Sequence, residues 1–435
     1  MRRVVITGIG AVTPQANNFS GSWDLIKRGM SGISAITRFD ATGLPWKIAG
    51  EVKGFNAALY LDAKERLRLD PFVHYAAAAA LMAAEDAGLL RQPAVPCLQS
   101  PVNSLKPVSS GYKKTTDRGP GTEDRKLLDS AGVIIGSSRG GITTIEREAE
   151  KLSAKSRISP FLMPSTTIIM AASYSARKLG IKGHCLGISN ACASGTNALG
   201  EAFRLIKYGH AEKVLAGGTE APLCRLCVGG YGVSGALSKI NDISASRPFE
   251  RKRRGFVIAE GAAVMVLEEY ESALRRGARI YAEIAGYGNT TDAYHMTKPD
   301  VGGEARAMYA ALEDAGISPE DIDYINAHGT STVLGDKAET EAIKMVFKDR
   351  AGEIPVSSVK SMTGHMLAAS GAFEAACTAM SIKEGVLAPT INLKEKDPEC
   401  NINVITEKQK ARINFAISNS FGFGGVNAVL VLKKC

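Results

Sequence analysis

Short apolar runs punctuated by glycine alternate along this chain with longer alanine- and leucine-rich segments, the pattern that strands and crossover helices produce. Val4 to Gly10, Gly132 to Gly136, Lys213 to Gly218, Ala262 to Glu268, Asp323 to Ala327 and Ala428 to Lys433 read as strands. Phe72 to Ala87, Asn197 to Tyr208, Gly303 to Ala315, Lys337 to Phe347 and Ser370 to Glu384 read as helices. An α/β architecture follows. The small-residue run Ala76 to Ala80 predicts a helix that packs closely on several sides, and is therefore buried. Met1-Arg2-Arg3 has the basic start of a signal peptide, but the run after it is broken by Gly8 and Gly10 and rich in β-branched residues, so a buried strand is expected. No apolar stretch is long enough to predict a membrane span. Pro93 to Asp124 breaks the pattern with prolines, Ser, Lys and Thr. It reads as a surface insertion, either mobile or in contact with a partner.

A length of 435 residues rules out a mini-protein held by staples, and 45% hydrophobic with 22% charged residues is the balance of an ordinary globular enzyme. The excess of 53 Lys+Arg over 44 Asp+Glu, a net +9, points to an anionic partner. Aromatic residues are only 6%, which weakens a case for nucleic acid, and no nucleic-acid motif supports the charge. The eight cysteines are scattered rather than arranged as a disulfide framework, so a reducing, cytoplasmic compartment is expected. Cys224 and Cys227 form a CxxC without a second pair at zinc-ribbon spacing; they read as structural, and no metal site is expected.

The candidate chemistry begins at Ile188-Ser189-Asn190-Ala191-Cys192-Ala193-Ser194-Gly195-Thr196, which ends a strand and opens a helix. A cysteine at a helix N-terminus is placed to be a thiolate nucleophile; free cysteines are also often just small buried hydrophobes. His328, in Ala327-His328-Gly329-Thr330-Ser331-Thr332, follows a strand, and His365, in Lys360-Ser361-Met362-Thr363-Gly364-His365, precedes a small-residue helix. One cysteine and two histidines in Gly/Ser/Thr-rich loops form a candidate catalytic set.

At these residues the chain resembles the condensing enzymes of fatty-acid synthesis, most closely a β-ketoacyl-acyl carrier protein synthase of the type II class. Arg3 to Gly10, Ser246-Arg247-Pro248-Phe249, Gly255-Phe256-Val257, Asp292 to Thr297 and Asn419-Ser420-Phe421-Gly422-Phe423-Gly424-Gly425 carry the same likeness, which covers nearly all the chain except the Pro93 to Asp124 insertion. The resemblance implies a thiolase fold, an αβαβα five-layered sandwich of two similar halves, divided here as 1–268 with the nucleophile and 269–435 with both histidines. It implies an acyltransferase that joins an acyl-enzyme thioester to malonyl-acyl carrier protein by decarboxylating Claisen condensation. Substrates would arrive on the carrier's phosphopantetheine, with no separate cofactor. Cys192, His328 and His365 would be catalytic, supported by Lys360, Glu374, Glu339 and Asp336. Phe423, flanked by Gly422 and Gly424, would supply an oxyanion N–H and a gate. Thr330, Thr332 and Thr297 would line the pantetheine tunnel, and Lys64, Arg66 and Arg68 would dock the acidic carrier, with the Arg251 to Arg254 run as a second basic element. A homodimer is the usual state, with a heterodimer with a homologue as the other arrangement.

Arg139 departs from the family, which usually has an apolar residue there at the throat of the acyl pocket. It predicts short, unsaturated, polar or carboxylate-bearing acyl chains, unless the side chain turns outward or pairs locally. Asn190, Val333 and Val426 are further departures that remove no catalytic group. A discrete type II polyketide ketosynthase shares every catalytic residue, and a non-condensing chain-length partner typically lacks the nucleophile that Cys192 provides here. The thiolase or initiating-synthase branch would carry Asn or Cys in place of one histidine.

Overall fold

The computed structural model describes residues 1–90 and 128–435, so the 93–124 insertion lies outside the described residues. Ten strands share one sheet: β1 (Val4–Val12), β2 (Gly132–Gly136), β3 (Cys185–Ile188), β4 (Lys213–Glu220), β5 (Gly261–Glu269), β6 (Glu283–Thr291), β7 (Tyr324–Asn326), β8 (Val356–Ser357), β9 (Phe415–Gly422) and β10 (Val426–Lys433). Their order is β8-β7-β9-β10-β6-β1-β5-β4-β2-β3. From either edge inward the pairings repeat: two parallel, then two antiparallel. The two five-strand halves meet where β1 and β6 pair antiparallel, Val4 opposite Ile284 and Val5 opposite Glu283.

Five helices give the layers: α1 (Pro71–Asp86), α2 (Ser194–Lys207), α3 (Val301–Ala315), α4 (Val333–Phe347) and α5 (Ala368–Glu384). α2 and α5 pack between the half-sheets, touching strands of both. α1 covers the outer face of the first half, and α3, with α4 against it, covers that of the second. This is the five-layered αβαβα sandwich.

The glycines in β1 and the alanines in α1 have a common cause. A Cβ on Gly10 would lie 2.1 Å from the Ala79 carbonyl oxygen, so helix and strand backbones are in contact. The second half repeats the device, with a Cβ on Gly288 of β6 only 2.0 Å from the Ala307 oxygen of α3. Both helices can lie this close because their facing residues are small; Ala76 to Ala80 are fully buried, as their composition predicts.

The six predicted strands and five predicted helices are present, with shifted ends. Helices start one to four residues earlier than their apolar pattern, and in α3 and α4 polar side chains close the start: Asp300 accepts from Gly303 N–H and Thr332 from Gly335 N–H. β3 was read only as the strand end before Cys192, and β6, β8 and β9 were not among the predicted strands. β6 mixes Gly286, Gly288, Asn289 and threonines, and β9 buries Ser418, Asn419 and Ser420, so neither shows apolar alternation.

Candidate active site

Cys192 lies in a single 3-10 turn, Ala191–Ala193, between β3 and α2. The turn is tied by Ser194, whose Oγ accepts from Asn190 N–H at 2.8 Å and donates to the Ala191 carbonyl at 2.6 Å. Ala191 has φ of 46°, a left-handed conformation unusual for a residue with a Cβ, so the bend before the cysteine is strained. The bend leaves Cys192 facing a cavity, yet only 8% exposed. Phe423 N–H, just beyond β9, points to the Cys192 sulfur. Gly422 beside it brings the chain against Cys192, where a Cβ would sit 3.2 Å from the Cys192 nitrogen.

Here the thiolate expectation needs correction. Burial dominates over the lowering effect of the Lys360 and Arg139 charges, and pushes the Cys192 thiol up to about 12. At neutral pH the resting side chain is a thiol.

His328 follows β7 and is held by its own backbone. Its N–H and that of Gly329 donate to the two carboxylate oxygens of Glu339 at 2.8 and 2.7 Å, and its carbonyl accepts from Lys360 Nζ at 2.6 Å. His365 is fixed by a two-way backbone exchange: its N–H donates to Val257 O at 2.7 Å and its carbonyl accepts from Ala259 N–H at 2.9 Å. The two imidazoles meet edge to face with centroids 5.5 Å apart, Phe421 packed on His328 and Phe256 on His365. Burial, then the Lys360 charge, holds both well below the usual histidine value, so both rings are neutral at pH 7.

The supporting carboxylates lie behind the histidines. Lys360 Nζ pairs with Glu374 at 2.5 Å, both nearly fully buried, and Glu339 also accepts from Asn419 Nδ2 at 3.0 Å. Asp336 accepts from Ser331 N–H and Phe249 N–H, fixing the loop after His328. One cavity of about 340 Å³ is lined by Cys192, His328 and His365 together with Thr297, Thr330, Thr332, Gly422 and Phe423. Thr332 Oγ1 also caps α4, and lies 3.0 Å from Thr330 Oγ1. Gly424 is outside the lining; its N–H is bound to Met296 O at 2.8 Å.

Three groups sit elsewhere. Arg139 is exposed and outside the cavity lining, its Nε donating to Tyr231 OH at 2.9 Å; Tyr231 does line the cavity. Lys64, Arg66 and Arg68 are exposed on the short helix Ala63–Arg68, with Arg68 over the Phe161 ring. The Arg251 to Arg254 run is not one docking surface. Arg253 is 1% exposed and bound to Asp397 and the Thr332 and Val333 carbonyls, while Arg251 pairs with Glu395. Tyr231 and Glu220 were missed from sequence, and Phe256 was quoted in its motif without a site role. Glu220 accepts from Ser137 Oγ and the N–H groups of Ser138 and Arg139, and no spacing signal marks it.

With the cavity described, the likeness to known proteins becomes informative. The model for the beta-ketoacyl synthase N-terminal domain matches residues 1–96 and 109–273, and that for the C-terminal domain matches residues 281–394. The chain belongs to the beta-ketoacyl synthase family. It is similar to the 3-oxoacyl-[acyl-carrier-protein] synthase 2 of Staphylococcus aureus strain COL, 45% identical over 100% of this chain and 98% of that one. The Synechocystis protein of the same name is 44% identical, again over 100% and 98%. Among solved structures, a beta-ketoacyl synthase from Burkholderia phymatum superposes with TM-score 0.85 at 34% identity over 100% of both chains. A type II polyketide ketosynthase in complex with its acyl-carrier protein gives 0.84 at 34%, over 100% of this chain and 99% of that one. The chain is thus a condensing ketosynthase, an enzyme of the acyltransferase class.

Proposed function

We propose that this chain elongates fatty acyl chains by decarboxylating Claisen condensation on acyl-carrier protein, with Cys192 as nucleophile. The observation that carries the reading is the convergence of Cys192, His328, His365 and Phe423 on one cavity. The Cys192 sulfur attacks the acyl thioester, its proton passes to the departing carrier thiol, and the acyl group is stored on the enzyme. Malonyl-carrier enters next; its carboxylate leaves as carbon dioxide and the C–C bonding pair becomes an enolate. N–H groups of His328 and His365 stabilise the enolate oxygen, which neutral imidazoles do without the larger cost of burying a charge. The enolate carbon attacks the acyl-Cys192 carbonyl, whose oxyanion is met by the N–H groups of Cys192 and Phe423. The C–S bond then breaks, Cys192 leaves as a thiolate, and a proton from solvent returns it to the resting thiol.

Lys360, Glu374, Glu339 and Asp336 position the histidine loops. Thr297, Thr330 and Thr332 contact the pantetheine arm, Gly422 and Gly424 let the Phe423 loop move, and Lys64, Arg66 and Arg68 receive the acidic carrier. The sheet ends at β3, whose Leu186 is 47% exposed, an edge suited to pairing with a second copy or a homologue in a cytoplasmic dimer. Arg139 acts on acyl choice through Tyr231, favouring short, unsaturated or polar chains; an Arg139→Ile variant with the wild-type acyl profile contradicts this. The polyketide reading has weaker support, since identity is 44–45% to the 3-oxoacyl-[acyl-carrier-protein] synthase 2 proteins and 34% to the polyketide ketosynthase. Assaying Cys192→Ala, His328→Ala and His365→Ala tests the scheme: the first loses acylation, and the others lose malonyl-carrier decarboxylation.

A further inference from the structure

We propose that Ser370 is a positioning residue that holds the His365 ring proton on Nε2. Ser370 Oγ is 3.1 Å from His365 Nδ1, and it accepts from Met366 N–H at 2.8 Å. Among the described residues it has no other hydrogen-bond partner. A serine hydroxyl has one proton to give. Buried at 1% exposure, it finds that acceptor at His365 Nδ1, and leaving the hydroxyl without one is costly. An Nδ1 that accepts must be unprotonated, so in a neutral imidazole the proton is on Nε2, the nitrogen left for the cavity.

The geometry is local and stiff. Met366 follows the histidine directly, and Leu367, with φ of 48°, turns the chain so that α5 brings Ser370 back beneath the ring. Among the described residues His328 has no equivalent tie: its Nδ1 is buried and none of them bonds to it. The two histidines therefore differ in how they are held: His365 Nδ1 has a side-chain hydroxyl against it, and His328 is fixed through its backbone.

This rests on the reading of His365 as an N–H donor to the enolate, and its test separates the two. Histidine-selective 15N NMR of the full chain at pH 7.5 reads the tautomer without reference to activity. The expected wild-type result is unprotonated Nδ1 and protonated Nε2 at His365; the reverse overturns the inference. In Ser370→Ala the two forms mix, and kcat for malonyl-carrier decarboxylation falls roughly three- to tenfold, the range a single neutral hydrogen bond accounts for. The carrier KM and the rate of Cys192 acylation stay within twofold, and Ser370→Thr restores kcat. An unchanged tautomer and kcat in Ser370→Ala overturn the proposal. If that variant fails to fold, the wild-type spectrum decides. A wild-type protein that does not decarboxylate malonyl-carrier refutes the functional reading and leaves the tautomer result standing.

Discussion

At Cys192 two influences oppose each other. The N-terminus of α2 and the Lys360 charge favour a thiolate, while burial among Tyr231, Phe256, Leu367 and Phe423 favours the thiol. Burial wins, so iodoacetamide alkylation of Cys192 in the free protein should keep accelerating with pH through pH 9; a plateau near neutrality would contradict it. The sequence motif shows where the cysteine falls in the chain, but the desolvating side chains come from positions distant along it, and so the thiolate expectation failed. Lys360 and Glu374 form a pair with 1% and 2% side-chain exposure. Removing one partner strands the other, and Lys360→Met should cost about 3–5 kcal/mol in urea unfolding. A loss under 1 kcal/mol would show that the pair does not hold this region.

At the scale of elements, the alternation of glycine-bearing strands with alanine-rich helices was readable because it has a steric cause. Where Gly10 faces Ala79 no Cβ fits. Gly10→Val should therefore destabilise the fold by about 1–3 kcal/mol or more, with a lower urea midpoint, because the obstructing atom is backbone and cannot step aside. A neutral substitution would show that α1 can lift from β1. β9 was not legible, since its buried Ser418, Asn419 and Ser420 are satisfied or enclosed only after β7, α2 and α4 assemble around them. The Cys192 and histidine loops were legible because their sequence is constrained by turn geometry: strand end, tight bend, helix start. Arg253 was not, because its carboxylate partners Asp336 and Asp397 are far along the chain.

At the scale of the whole molecule, buried carboxyls contribute to the pH response. Desolvation raises Glu220 and Asp336 to about 7, from ordinary values of 4.5 and 3.8. The unfolded chain ionises first as pH rises, so the folded state loses stability from about pH 4 to about pH 7 from these two groups. Glu220→Gln should flatten part of that slope in unfolding free energy measured across the window; an unchanged slope contradicts the assignment. On the proposed docking reading, part of the net charge of +9 acts through Lys64, Arg66 and Arg68. Reversing Lys64 and Arg68 to Glu should raise the carrier KM several-fold at low salt, with the difference shrinking as ionic strength rises; an unaffected KM returns the charge to general solubility. The central claim is that acyl groups are stored on Cys192. Mass spectrometry of the protein incubated with acyl-carrier protein should find the acyl mass on Cys192 alone, and adding malonyl-carrier should discharge it as β-ketoacyl-carrier; acylation at another cysteine, or none, would contradict the account.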